Sequence, residues 1–285
     1  MQESRHRLFR LLWRGTNLIL VLSVALTLCA GGWELSVREY LDGFSDAIIP
    51  AAATPVEKVD AILQWMKNGP ERAPSAPASI SKRDPEDTLN YQELLAVCGT
   101  ATNAFLNLAR SSGLQVRRLL LLSPERNTKH VVAEVLLDER WIIVDPTYRI
   151  IMRDPSGRML SRYDLKDPAV LAQATSIVPG YPQQYNYDSY AHVRVAAIPL
   201  QGLRLRKVLD AIYPRWDEVV DWSLLLERQS FLVFFCSFLA MFLLLLSRFS
   251  LGWYADHRLK VPRFHLRRNL LRAGAVFFST PELKK

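Results

Sequence analysis

The chain has 285 residues, about twice the length of one typical domain, so one or two domains are expected. Apolar residues make up 49% and charged residues 22%, which excludes a disordered or fibrous chain. The formal net charge of +8 is unevenly placed: residues 1–14 carry +3, residues 248–285 carry +7, and residues 15–247 carry −2. A nucleic-acid-binding domain needs a basic face on its folded part, so the distribution argues against a nucleic-acid partner and points to a membrane.

In chain order, Arg5, Arg7, Arg10 and Arg14 precede a first apolar run, Leu18 to Ala30. Residues 15–33 read as a transmembrane signal anchor or as the h-region of a cleaved signal peptide, since Ala30 and Gly32 fit a small-x-small site. An amphipathic stretch follows over 33–50. Thr54-Pro55 marks a helix start, with Val56, Val59, Ile62, Leu63 and Met66 at helical spacing and Asn68-Gly69-Pro70 as its stop. Residues 70–88 read as a long loop, and a second helix runs from about Cys98 to Ser111 with Gly113 behind it. Strands are expected over Val116 to Leu122, His130 to Leu137 and Trp141 to Asp145. Residues 153–192 read as loop-rich, with tyrosines at 181, 185, 187 and 190 that either line a sugar- or peptide-binding groove or pack the loop. A strand over Val193 to Leu200 and a helix over 205–228 complete this region.

The second apolar run, Phe231 to Leu246, lies within 19 uncharged residues between Arg228 and Arg248, near the roughly 20 needed to cross a bilayer. Residues 229–248 are therefore a second expected span, followed by a basic tail over 249–285. Basic flanks on the outer sides of both runs place both ends in the cytoplasm and residues 34–228 outside it. The tail either lies on anionic lipid or only fixes the topology.

Of three cysteines, Cys29 and Cys236 fall in the apolar runs, leaving Cys98 as the one thiol of the outer region. That region has no internal partner for it, so the thiol is either buried and inert or reactive for a purpose. A nucleophilic thiolate gains from a helix N-terminus, where Cys98 stands, and from an adjacent imidazole that takes and returns its proton. His130 is the candidate base; His192 is the other histidine of this region. The third member would orient the imidazole. If Asp138-Glu139 is a two-residue hairpin loop, Leu137 faces Arg140, Asp145 faces Val132, and His130 and Asp145 share a face. A three-residue loop would put them on opposite faces.

The pieces VCGTATNAFLNLARSSGLQVRRLLLL and HVVAEVLLDERWIIVDPTYR resemble the core of the transglutaminase-like superfamily, the papain-like cysteine fold. Cys98, Gly113, His130, Glu134, Trp141, Asp145 and Pro146 fall where that pattern wants them, and the resemblance covers about residues 55–160. It implies an α+β fold in which a helix bearing Cys98 packs on an antiparallel sheet bearing His130 and Asp145, here with flanking transmembrane helices. It also implies a catalytic triad of Cys98, His130 and Asp145 acting on amide bonds of a protein or peptide substrate, as a hydrolase or an acyl transferase. Gln92, six residues before the cysteine, has the spacing of the oxyanion glutamine in papain-like proteases. Its alternative is a surface polar role. Glu134 is expected behind the triad or near the rim of the His130 face, and Trp141 behind the triad, in the core or as a substrate platform. Val97 stands where many relatives have Gly. The setting implied is a bacterial inner membrane, with membrane lipid and an envelope complex as partners. The alternative is a non-catalytic binding or assembly module. No His/Cys/Asp/Glu cluster has metal-ligand spacing and no phosphate loop is seen, so no metal and no cofactor are expected.

Overall fold

A computed structural model describes residues 2–73, 84–182, 184–193, 205–221 and 223–260. The chain divides into two compact units, one of residues 30–235 and one of residues 1–29 with 236–285.

Helix α1 (Gln2–Ile48) is continuous over 47 residues. The separate amphipathic stretch expected after residue 33 is its last part. No proline interrupts it, and Val37, Leu41, Phe44 and Ile48 recur at helical spacing and pack on the core of the larger unit, with Leu41 fully buried. Helix α2 (Pro55–Asn68) starts with a capping box: the Thr54 hydroxyl accepts from the Glu57 N–H and the Glu57 carboxylate accepts from the Thr54 N–H at 2.7 Å. Helix α3 (Pro85–Asn90) and a 3-10 turn (Gln92–Ala96) lead to α4 (Cys98–Ser111). Ala101, Ala104, Phe105 and Leu108 form the buried face of α4. Its end is a Schellman-type stop in which Gly113 takes φ +83° and the Leu114 N–H donates to the Ala109 carbonyl at 3.0 Å.

Strands β1 (Val116–Leu122), β2 (Thr128–Leu137), β3 (Arg140–Asp145), β4 (Ile150–Ile151) and β5 (Tyr190–Ala191) form one antiparallel sheet ordered β4-β3-β2-β1-β5. Alternation along the strands gives it two buried faces. Ala133, Val135, Ile142 and Val144 face the helical layer of α2 and α4. Leu119, Leu121, Val132 and Ile143 face the long segment after β4, which contributes Met152, Leu160, Leu165 and Tyr187. That segment is not all loop: α5 (Pro168–Thr175) has Asp167 as N-cap, its carboxylate accepting from the Ala169 N–H at 2.9 Å, and Pro168 in its first turn.

Residues 205–228 are not one helix but three pieces, α6 (Leu205–Ile212), α7 (Trp216–Val219) and α8 (Ser223–Glu227). Pro214 cannot continue a helix and Arg215 takes a left-handed φ of 59°, which breaks the path. Helix α9 (Gln229–Tyr254) follows, closed by a π-helical turn over Ala255–Leu259. Three features expected from the sequence lie outside the described residues: most of the strand over Val193 to Leu200, the centre of the 70–88 loop, and the basic tail from residue 261. By length and composition α1 and α9 are each able to cross a membrane. In the smaller unit their side chains meet where Arg248 covers the Trp13 ring and its Nε donates to Asn17.

Candidate active site

Three elements bring the site together. The first is the N-terminus of α4, which carries Cys98. The Thr100 hydroxyl donates back to the carbonyls of Leu94 and Val97, closing the turn ahead of the cysteine. One helical turn on, the buried Thr102 hydroxyl donates to the Val131 carbonyl at 3.0 Å and pins α4 to β2 beside His130. Neither threonine belongs to a pattern the sequence made visible.

The second element is the β2–β3 hairpin. Leu137 pairs with Arg140 and Ala133 with Val144, so the loop at Asp138-Glu139 has two residues and not three, with both at positive φ (47° and 61°). The consequence is a bond between buried side chains: His130 Nε2 donates to Asp145 Oδ2 at 2.7 Å. The third element is the turn after β3. Asp145 Oδ1 accepts from the backbone N–H groups of Thr147 (3.1 Å) and Tyr148 (3.4 Å), and Oδ2 also accepts from the Tyr181 hydroxyl at 3.2 Å. A fully buried carboxylate thus has both oxygens satisfied and one orientation. Arg149, itself at φ 56°, donates to the Thr147 carbonyl at 2.8 Å and to the Leu95 carbonyl at 3.5 Å, tying this turn to the one before Cys98.

With Nε2 engaged by Asp145, Nδ1 is the imidazole nitrogen left for the thiol; it makes no hydrogen bond of normal geometry, to Cys98 or to any other group. The electrostatics are mutual. Interaction with the His130 ring holds the Cys98 thiol below its ordinary range against the upward push of burial, helped by the Val131 and Gly99 amides. Burial disfavours the His130 imidazolium, but Asp145 first and Cys98 second outweigh it and raise the group to about 9. A lowered thiol beside a raised imidazole shifts the pair toward thiolate with imidazolium. Cys98 keeps partial solvent access.

Residues 42–146 match the model of the transglutaminase-like superfamily. The larger unit is consistent with such a core: an α+β arrangement with the cysteine-bearing helix against the sheet that carries the histidine and the aspartate. No curated protein and no solved structure matches the chain.

Of the remaining expected residues, Gln92 lies exposed on the 3-10 turn ahead of Cys98. Glu134 points to the His130 face of β2 but engages other groups: it is fully buried and accepts from Arg117 Nε at 2.6 Å, with Arg162 and His192 each 3.9 Å away. Trp141 is paired with Leu136, about 20 Å along the strand from His130, and lies half-buried under the Arg117 guanidinium at 4.0 Å. The structure therefore does not bring Trp141 to the triad. His192 donates from Nδ1 to the Arg118 carbonyl at 2.6 Å, and burial lowers its basicity. Among the described residues no group of three His, Cys, Asp or Glu stands where it could hold a metal ion.

The tyrosines are the part the sequence left open. Tyr185 stacks on His130 with ring centroids 4.3 Å apart and planes 3° apart. Tyr181 and Tyr148 present their rings to the imidazole at 6.5 and 6.0 Å. Tyr187 is buried in the core under the sheet, and Tyr190 lies under Arg162. Tyr181 and Tyr185 also form one wall of a cavity of about 250 Å³ closed by Pro168, Leu171 and Pro182.

Proposed function

We propose that the domain is a membrane-anchored cysteine enzyme of the transglutaminase-like type that attacks amide bonds. The observation that carries this reading is the buried His130–Asp145 bond with the half-buried Cys98 thiol, at the start of α4, electrostatically coupled to the same imidazole. In the proposed step the Cys98 thiolate adds to the carbonyl carbon, and the carbonyl electron pair moves to oxygen. Free N–H groups at the start of α4, that of Cys98 included, face the developing oxyanion, with Gln92 as a candidate second donor. The tetrahedral centre collapses, the C–N bond breaks, and the His130 imidazolium gives its proton to the leaving nitrogen. A thioester remains. Water or an amine then adds to it while His130 takes the proton, and the thiolate leaves. Water gives a protease or amidase and an amine gives a cross-link; we place the protein with the hydrolases, acting on an envelope peptide or protein.

Asp145 holds His130 in the tautomer with the proton on Nε2 and stabilises the imidazolium. The four satisfied contacts of its carboxylate support that role. The length and composition of α1 and α9 support two membrane spans, with both ends in the cytoplasm and the domain outside, by the placement of basic flanks.

Two measurements test the reading. Iodoacetamide should alkylate Cys98 of detergent-solubilised protein rapidly near neutral pH, and His130→Ala should slow it by about tenfold or more. A slow, His130-independent thiol would favour a binding or assembly module. A reporter fused after Lys285 should be cytoplasmic and one inserted near Ser75 should not; a cytoplasmic reporter at Ser75 would overturn the topology.

A further inference from the structure

The bond from Nε2 to Asp145 fixes one atom of the His130 imidazole but leaves the ring free to pivot about that bond. A second constraint, normal to the ring, is needed to keep Nδ1 turned toward Cys98. Tyr185 provides one, since its ring lies 4.3 Å away and within 3° of parallel. The Tyr185 ring is itself held: Tyr181 meets it edge-on at 5.6 Å and 90°, Tyr148 meets Tyr181 at 4.7 Å, and the Tyr185 N–H donates to the Pro182 carbonyl at 3.2 Å. Tyr181 reaches the same triad through Asp145. Tyr187 is buried in the core cluster with Leu119 and Val132, whereas Tyr185 packs against that cluster and also lays its ring face on the polar imidazole.

We propose that Tyr185 is a positioning residue for the thiol–imidazole pair: its ring face sets the plane of His130 and stabilises the imidazole in its protonated form. The inference rests on the reading of Cys98 and His130 given above. The physical basis is the negative face of an aromatic ring, which attracts a cation laid against it. The titratable groups that face the imidazole are Cys98 from α4, Asp145 from the end of β3, and the phenols of Tyr148, Tyr181 and Tyr185. Burial, with Cys98 and Asp145 nearby, raises the Tyr185 hydroxyl above its ordinary range, so the ring stays a neutral phenol while the pair titrates.

The experiment is the pH profile of Cys98 alkylation by iodoacetamide on the full-length protein, read by the mass of the Cys98 peptide in a Cys29→Ser, Cys236→Ser background. Tyr185→Phe keeps the ring face and should follow the parent within about twofold. Tyr185→Leu keeps bulk without the face and should lose about fivefold to tenfold in rate at about pH 6, with little change at about pH 10, where the thiol ionises unaided. A Tyr185→Leu profile that overlays the parent overturns the inference. So does a Tyr185→Phe profile that falls as far as that of Tyr185→Leu, which would move the effect to the hydroxyl. If Tyr185→Leu melts far below the parent, pentafluorophenylalanine at position 185 decides: it keeps the shape and inverts the charge of the ring face. Slower alkylation at low pH supports the role and an unchanged profile removes it. The underlying triad fails separately, by alkylation that is insensitive to His130→Ala.

Discussion

His130 and Asp145 lie fifteen residues apart and meet at 2.7 Å because the turn between their strands holds two residues and no more. The side-chain period of a strand is two, so an odd change in loop length carries Asp145 to the other face of the sheet. Both turn residues, Asp138 and Glu139, are in the left-handed region, which costs a residue other than glycine about 1 kcal/mol. Glu139→Gly should therefore raise stability by about 0.5–1 kcal/mol and leave Cys98 alkylation unchanged. Inserting one glycine after Asp138 should abolish the His130 dependence of that alkylation. Denaturant melts and alkylation rates on both variants check this, and an insertion variant that retains the dependence would show that the hairpin does not set the site.

Thr102 tests how α4 is seated. Thr102→Val keeps shape but removes the donor to the Val131 carbonyl, leaving a buried acceptor unpaired. The expected loss is roughly 1–2 kcal/mol of stability. Because the bond joins the cysteine helix to the strand next to His130, alkylation at neutral pH should also fall severalfold. Unchanged reactivity in a destabilised variant would confine Thr102 to holding the fold.

The local signals were legible. The capping box at Thr54 and Glu57, Cys98 ahead of a helix with an alanine face, Gly113 behind it, and the hairpin arithmetic each need only a few neighbouring residues. What was not legible depends on distance in the chain or on a competing sign. Nothing in the sequence spacing puts Tyr185 on His130. The Glu134–Arg117 pair depends on the β1–β2 register, which contains a bulge between Leu121 and Leu122. The start of α5 was present as Asp167-Pro168, but a proline at the first turn of a helix and a proline in a loop look alike when other prolines surround them. The length of α1 was hidden because its apolar character changes from all-round to one-sided without any residue that stops a helix.

Glu134 separates support of the sheet from support of the thiol. Its carboxylate is fully buried against Arg117, with Arg162 and His192 close behind. Glu134→Ala strands buried positive charge and should cost about 3 kcal/mol. The loss should be smaller for Arg117→Ala, because Arg117 is partly exposed and Arg162 still faces the carboxylate. Neither variant should move the pH profile of Cys98 alkylation per folded molecule. A shifted profile in Glu134→Ala would bring that residue into the electrostatics of the site.

Proton linkage gives the last test. Alone, a histidine raised from 6.5 to about 9 adds stability that is complete below about pH 6.5 and lost as pH rises through about 9. Alone, a cysteine held below its ordinary 9.0 adds stability present above that value and lost as pH falls through its lowered one. Where the two windows overlap the slopes oppose. On the proposed reading the folded pair holds one proton, on the imidazolium beside a thiolate. The unfolded pair also holds one, on the thiol. Equal proton counts leave stability flat with pH. Cys98→Ser removes one of the two slopes, because a hydroxyl does not ionise in this range, while Asp145 still holds His130 up. The variant should therefore lose stability between about pH 6.5 and 9, by about 1–2 kcal/mol, where the parent changes little. Near pH 6.5 it should melt close to the parent, since the position is only half-buried and a hydroxyl there keeps access to water. It should also lose all cysteine-dependent acyl transfer. Melting curves at several pH values, run with turnover on a general amide or ester probe, give both readouts from one set of samples. Parallel pH slopes for parent and Cys98→Ser would mean that the thiol keeps its proton beside His130, and the pair would not be the ion pair that nucleophilic attack requires.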